Sequence, residues 1–164
     1  MIRLTSSLSI LSEELSYEME DDFGYLNYTS YIAASYVKFV ESAGARVAPV
    51  LFLFPGGGLY LNSSYSKALQ KIYEIAKRED VEDDKRVVIW ATCLGFENVI
   101  YLEAGFDPQV HCNGSNSADN LIFQEGFESS KLLSNVLEGV IEDLATKNIT
   151  ANFHSKCTLP ENSR

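Results

Sequence analysis

The stretch Val87-Val88-Ile89-Trp90-Ala91-Thr92-Cys93-Leu94-Gly95-Phe96-Glu97 decides the fold. Its first four residues are β-formers with no charge among them, which predicts a strand buried on both faces of a parallel sheet. Cys93 falls where that strand must stop, and a helix can begin near Gly95. A thiol on a tight strand-to-helix turn, with helix N–H groups aimed at it, has the geometry of a nucleophile elbow. A small buried cysteine at a strand end would give the same pattern with no chemistry attached, and both readings stand at this level.

Upstream, Arg46-Val-Ala-Pro-Val-Leu-Phe-Leu-Phe54 runs without a turn signal into Pro55-Gly56-Gly57-Gly58, a buried strand leading to a glycine loop. Such a loop is either a flexible connection or a set of free backbone N–H groups for an oxyanion or carboxylate. Its place after a buried strand, where α/β folds gather ligands, makes the second reading competitive. Ile32, Ala33, Tyr36, Val37, Val40 and Ala43 recur at helical spacing, with Thr29 or Ser30 as N-cap and Gly44 as terminator. A further helix is expected over residues 62–79, with Tyr65, Ala68, Leu69, Ile72, Tyr73 and Ala76 on its apolar side and the tyrosines read as packing groups. Leu8-Ser-Ile10-Leu11 is a candidate first strand before an acidic patch at 13–22, and residues 79–86 read as a charged surface connection.

Downstream, residues 96–104 continue as a helix that turns Val99, Ile100 and Leu102 to the sheet and ends at Gly105. Residues 106–120, rich in Asp, Pro, Asn, Gly and Ser, read as a loop or poorly ordered insertion, with His111 solvated. A brief strand is expected at 121–123. A long helix is expected at 128–147, with Leu132, Leu133, Val136, Leu137, Val140, Ile141 and Leu144 on one face. Residues 149–157 carry one short apolar alternation before a polar, frayed end. This order of elements is that of an α/β three-layer sandwich with a mostly parallel central sheet, in a single domain over residues 1–164.

The net charge of -10 argues against nucleic-acid or anionic-membrane partners, which need a basic surface to displace counterions. No apolar run approaches a membrane span, and the first fifteen residues lack the apolar core of an export signal. Four N-x-S/T patterns, at Asn27, Asn62, Asn113 and Asn148, nevertheless point to a secretory-pathway chain whose leader is missing. Cys93, Cys112 and Cys157 do not form a metal-binding spacing. If Cys93 is a free nucleophile, Cys112 and Cys157 are left as a pair for an oxidising compartment, although nothing in the sequence places them within bonding distance.

A cysteine elbow beside a glycine loop suggests acyl transfer. A thiolate attacks a carbonyl, and the developing oxyanion needs two N–H donors, for which Leu94 and Gly57 are the candidates. The base that activates such a thiol is normally histidine, and only His111 and His154 are available.

Four blocks carry a family resemblance: Tyr31-Ile-Ala-Ala-Ser-Tyr-Val-Lys-Phe-Val-Glu-Ser-Ala-Gly-Ala-Arg-Val-Ala-Pro-Val50, Leu53-Phe-Pro-Gly-Gly57, Trp90-Ala-Thr-Cys-Leu-Gly-Phe-Glu97, and Leu144 with Thr150-Ala-Asn-Phe-His154. In this order they closely resemble the gamma-glutamyl hydrolases, folate poly-gamma-glutamate hydrolases within the flavodoxin-like, class I glutamine amidotransferase-like cysteine hydrolases. The resemblance implies that Cys93 is the nucleophile, that Leu94 and Gly57 sit at the oxyanion hole, and that Gly56 and His154 lie on the substrate side. It implies cleavage of gamma-linked glutamates from folyl or antifolate polyglutamates, a homodimer, and a lysosomal or secreted location. No metal or organic cofactor is expected.

Three departures from the family pattern set further expectations. Ala91 stands where the family elbow usually has glycine. Val50 runs directly into Leu51, where the family carries a helix between two parallel strands. Parallel neighbours need a crossover of about a dozen residues or more, so two family strands are expected to be fused and the sheet incomplete. The family draws its catalytic histidine from a Trp-His-Pro-Glu segment, and the sequence reaches Arg164 before one. Two functions follow as expectations: a gamma-glutamyl hydrolase working through a thioester, or a catalytically inactive fragment or splice form that keeps only binding or dimerisation.

Overall fold

The computed structural model describes residues 8–42, 50–82 and 87–158. Gly44, the start of the strand expected from Arg46, residues 83–86 of the charged connection and the polar end from 159 lie outside the described residues. The chain divides into two compact units, Met1–Asp107 and Pro108–Arg164.

In chain order the first unit contains β1 (Leu8–Ile10), β2 (Glu13–Glu14), α1 (Tyr17–Phe23), β3 (Ser30–Tyr31), α2 (Ala34–Ser42), β4 (Val50–Phe54), α3 (Ser64–Glu82), β5 (Val87–Ala91) and α4 (Leu94–Ala104). Strands β1, β4 and β5 form a parallel sheet in that order, with Ser9 opposite Phe52 and Leu53 opposite Trp90. Side chains alternate across a strand, so Phe52, Phe54, Ile89 and Ala91 share one face. They meet Tyr65 and Leu69 of α3 and Leu94 of α4 in the buried core. Leu53 and Trp90 point the other way, and Trp90 meets Phe39 of α2 with ring centroids 5.7 Å apart. Helices therefore lie on both faces, as the α/β reading requires.

Several local expectations are corrected. Strand β5 is not buried on both faces: Val88 is 43% and Trp90 39% exposed. It is an edge strand of the described sheet, and the face carrying these two residues is less covered than the face against α3 and α4. Ser30 is not an N-cap but a strand residue, because β3 pairs antiparallel with β2 and α2 begins only at Ala34. The acidic patch holds β2 and α1, whose N-cap Ser16 accepts the Met19 N–H at 3.4 Å. Helix α3 continues to Glu82 through residues expected to be a connection. Glu and Arg are good helix formers when solvated, so charge alone did not mark a break.

The second unit contains β6 (Gln109–Asp119), α5 (Glu138–Thr146) and β7 (Thr150–Thr158). Most of the stretch 106–120 expected to be a loop is thus a strand, Gln109–Asp119. Strand β6 pairs antiparallel with β7, with irregularities between His111 and Gly114 and between Ser115 and Ser117, and Cys112 is disulfide-bonded to Cys157. Low intrinsic β-propensity has yielded to a long-range partner. The strand expected at 121–123 is absent; the Leu121 N–H instead donates to the Leu144 carbonyl at 2.7 Å. The long helix is also shortened, since residues before Glu138 form turns and Leu132 stays 64% exposed. Ser129 Oγ donates to the Gly126 carbonyl, and Ser130 Oγ accepts the Leu133 N–H. Such local bonds compete with the helical ladder, and among the described residues from 109 to 158 no fully buried side chain marks a core for the apolar stripe to join.

Candidate active site

In a parallel sheet the C-terminal strand ends lie together, which is where ligands bind in α/β folds. Here that edge gathers three segments: Glu13 after β1, Pro55-Gly56-Gly57-Gly58 after β4, and Cys93 after β5. Cys93 has φ +50° and ψ -116°, a left-handed backbone that costs a non-glycine residue energy and persists only when its surroundings impose it.

Those surroundings are visible. The Thr92 N–H donates to the Phe54 carbonyl at 3.0 Å, carrying the strand pairing to the brink of the turn. The Gly95 N–H donates to the Pro55 and Thr92 carbonyls, and the Glu97 N–H closes the first turn of α4 on the Cys93 carbonyl at 2.9 Å. A Cβ at Gly95 would strike the Phe54 carbonyl oxygen, so only glycine lets α4 start this close to β4. Buried Asn98 ties its Nδ2 to the Leu94 carbonyl at 2.8 Å.

The glycine loop is held against this elbow from two sides. Tyr36 Oη on α2 accepts the Gly56 N–H at 2.6 Å, and Tyr65 Oη on α3 donates to the Pro55 carbonyl at 2.7 Å. A Cβ on Gly56 would lie 2.6 Å from Cys93 Cβ and 2.9 Å from Tyr36 Oη. With the Gly56 N–H already taken, Gly57 is the loop residue whose N–H acts on the thiol.

Burial pushes the half-buried Cys93 thiol above its ordinary range. The Leu94 N–H pulls it down, the Glu97 and Glu13 carboxylates push it up, and the Gly57 N–H pulls it down again. Two backbone N–H groups, from opposite segments, therefore both favour the thiolate. A carbonyl attacked by that sulfur would place its oxygen among the same donors, which is what an oxyanion hole does.

No family model matches the sequence. Among curated proteins, the gamma-glutamyl hydrolase of Mus musculus is 35% identical over 157 residues, covering 83% of this chain and 49% of the relative. That of Bos taurus is 37% identical over 142 residues, covering 76% and 44%. Gamma-glutamyl hydrolase B of Dictyostelium discoideum is 31% identical over 173 residues, covering 93% and 48%. The chain belongs to the gamma-glutamyl hydrolase family. It spans about half the length of the curated relatives it matches. Membership accords with the parallel sheet and makes the fold that of the class I glutamine amidotransferase-like proteins.

Of the residues singled out from the gamma-glutamyl hydrolase resemblance, Cys93, Leu94, Gly56 and Gly57 are neighbours in the first unit. His154 belongs to the second unit, on β7 opposite Gly114, where it lines a cavity of about 310 Å³ with Cys112, Asn113, Asp119 and Asn152. His111 pairs with Lys156 on the same ladder. The Cys112–Cys157 disulfide is consistent with a secretory-pathway protein, and among the described residues no helix is long and apolar enough to cross a membrane.

Three residues of this neighbourhood escaped the sequence reading. Tyr36 and Tyr65 fell on apolar helix faces and read as packing, whereas their hydroxyls fasten the glycine loop. Glu13 was absorbed into an acidic surface patch, yet it is only 3% exposed. Its position three residues past β1, at the ligand-binding edge of a parallel sheet, was the available signal.

Proposed function

We propose that the protein is a cysteine hydrolase that cleaves gamma-glutamyl bonds of folyl poly-gamma-glutamates through a thioester acyl-enzyme. The observation that carries this reading is the convergence of the Leu94 and Gly57 N–H groups on Cys93, held at φ +50°, in a chain of the gamma-glutamyl hydrolase family. The Cys93 thiolate adds to the gamma-carbonyl carbon, and the carbonyl oxygen takes the negative charge between the two N–H groups. Collapse of that intermediate breaks the C–N bond, the leaving amine takes up a proton, and a thioester remains on Sγ. Water then adds to the thioester, and a second collapse releases the acid and the thiol.

Both transfers need a proton carrier. The two histidines, His111 and His154, lie in the second unit, and we assign His154 to the substrate side of the site on the strength of the family resemblance. The Cys112–Cys157 bond and the exposed Asn27, Asn62, Asn113 and Asn148 side chains support a glycosylated lysosomal or secreted protein, and the family resemblance alone carries a homodimer as its assembly. The test is glutamate release from a folyl polyglutamate. It is expected from the wild-type chain and lost by Cys93→Ala; release that survives the substitution defeats the proposal.

A second reading, a non-catalytic form that retains binding or dimerisation, has one observation in its favour. The first unit carries no histidine to take the thiol proton, and burial raises the Cys93 pKa. Absence of release from wild type, with Cys93 still labelled by a glutamyl chloromethyl ketone, selects this reading.

A further inference from the structure

We infer that Glu13 is a positioning residue of the Cys93 site: its carboxyl, seated against the Cα of Gly57, holds the glycine loop with the Gly57 N–H on the sulfur, and does so as the neutral acid. This deepens the proposed function and rests on its reading of Cys93 as nucleophile.

The geometry is a contact without room to spare. A Cβ built on Gly57 would overlap Glu13 Oε2 and lie 2.7 Å from its Cδ, so the carboxyl packs directly on the bare Cα. The backbone of Glu13 is fixed by the β2–β3 pairing, in register with Tyr31. Its side chain has one hydrogen bond among the described residues, from Tyr31 Oη at 3.4 Å. No described cation compensates it. The titratable groups that face it are Tyr31 on β3, Tyr36 on α2, Tyr65 on α3 and Cys93 itself, while Glu97 of α4 also acts on the thiol. The adjacent Glu14 is occupied elsewhere, accepting the Ser64 N–H at the start of α3.

A carboxylate in such surroundings is disfavoured, because it loses its hydration and gains no cation. Burial accordingly lifts the Glu13 pKa to about 7, with the Tyr31 bond drawing it partly back. A charged Glu13 would also work against the site. It would stand behind the Gly57 N–H, oppose negative charge on the bound oxygen, and raise the thiol further. The neutral acid keeps the packing and omits the charge.

Two reagents separate these roles in the full chain, with Cys93→Ala as blank. Iodoacetamide reads thiolate alone, whereas a glutamyl chloromethyl ketone must also seat its carbonyl oxygen among the N–H donors. Across pH 5 to 9, wild type and Glu13→Gln are expected to alkylate alike at the acid end, with wild type falling behind as pH rises past about 7, because only the carboxyl can ionise. Glu13→Ala is expected to react with iodoacetamide like Glu13→Gln but with the ketone on the order of tenfold more slowly, through a displaced donor. A wild type already slower than Glu13→Gln at pH 5 overturns the neutral-acid role, and equal ketone rates for the two variants overturn the positioning role. The glutamine variant preserves side-chain volume, so the pH comparison decides even where alanine unfolds the loop. Failed glutamate release from wild type counts against the hydrolase reading and leaves these profiles to decide for Glu13.

Discussion

The two units of this chain rely on different physics. In the first, Leu53, Phe54 and Leu69 are essentially inaccessible to solvent, and a parallel sheet is clamped between helices. In the second, every described side chain from 109 to 158 is half-buried or exposed, and order comes from a two-stranded ladder and one covalent bond between residues 45 apart. The contrast teaches where precision is available. The elbow needs backbone placed to a fraction of an ångström, and it sits on the unit whose core supplies that rigidity.

The largest expected effect breaks the second unit and spares the first. Opening the Cys112–Cys157 loop by reduction frees a chain segment whose closure is worth about 4 kcal/mol in the chain-entropy account. Hydrogen exchange read by mass spectrometry should show residues 109–158 losing protection in reductant while 50–54 and 87–104 keep theirs. Uniform loss across both sets would mean that the units are not separately held.

The converse experiment is smaller. Leu69→Ala removes a fully buried side chain and should cost about 3 kcal/mol of first-unit stability, seen as a lower urea midpoint by fluorescence of the single tryptophan, Trp90. The exchange pattern of the second unit should not change. A shift under ~1 kcal/mol would show that α3 does not carry the core.

The smallest effect sharpens the comparison through pH. The folded Glu13 pKa of about 7 exceeds its ordinary 4.5, so between these values the native state holds a proton that the unfolded chain has released. Stability of the first unit should therefore be highest below the lower value and fall as pH rises through the upper one, by about 2 kcal/mol between pH 5 and 8. Glu13→Gln should flatten that slope. Parallel urea midpoints for wild type and variant over this range would refute it.

The parts of the molecule legible in its sequence are those written locally. An uncharged β-rich run ending in Cys93, a glycine two residues on, and a glycine loop after the preceding strand point to Leu94 and Gly57 as the donors nearest the thiol. What failed was mostly non-local. Residues 106–120 read as a loop because the partner of β6 lies some 40 residues downstream, and the residues before Glu138 kept a helical period while their serines bonded to nearby backbone. Glu13 was misread for the same reason: its burial comes from where β1 ends and which loop lies across from it, and neither is encoded in its neighbours.

At residue 93 folding and chemistry favour different amino acids. A backbone at φ +50° suits glycine, and a glycine there would relieve the strain of the β5–α4 turn. A chain drifting under selection for stability alone would be expected to shed the thiol at this position first, since the fold loses little and gains ease. The cysteine is thus a cost that the folding of this unit gives no reason to bear.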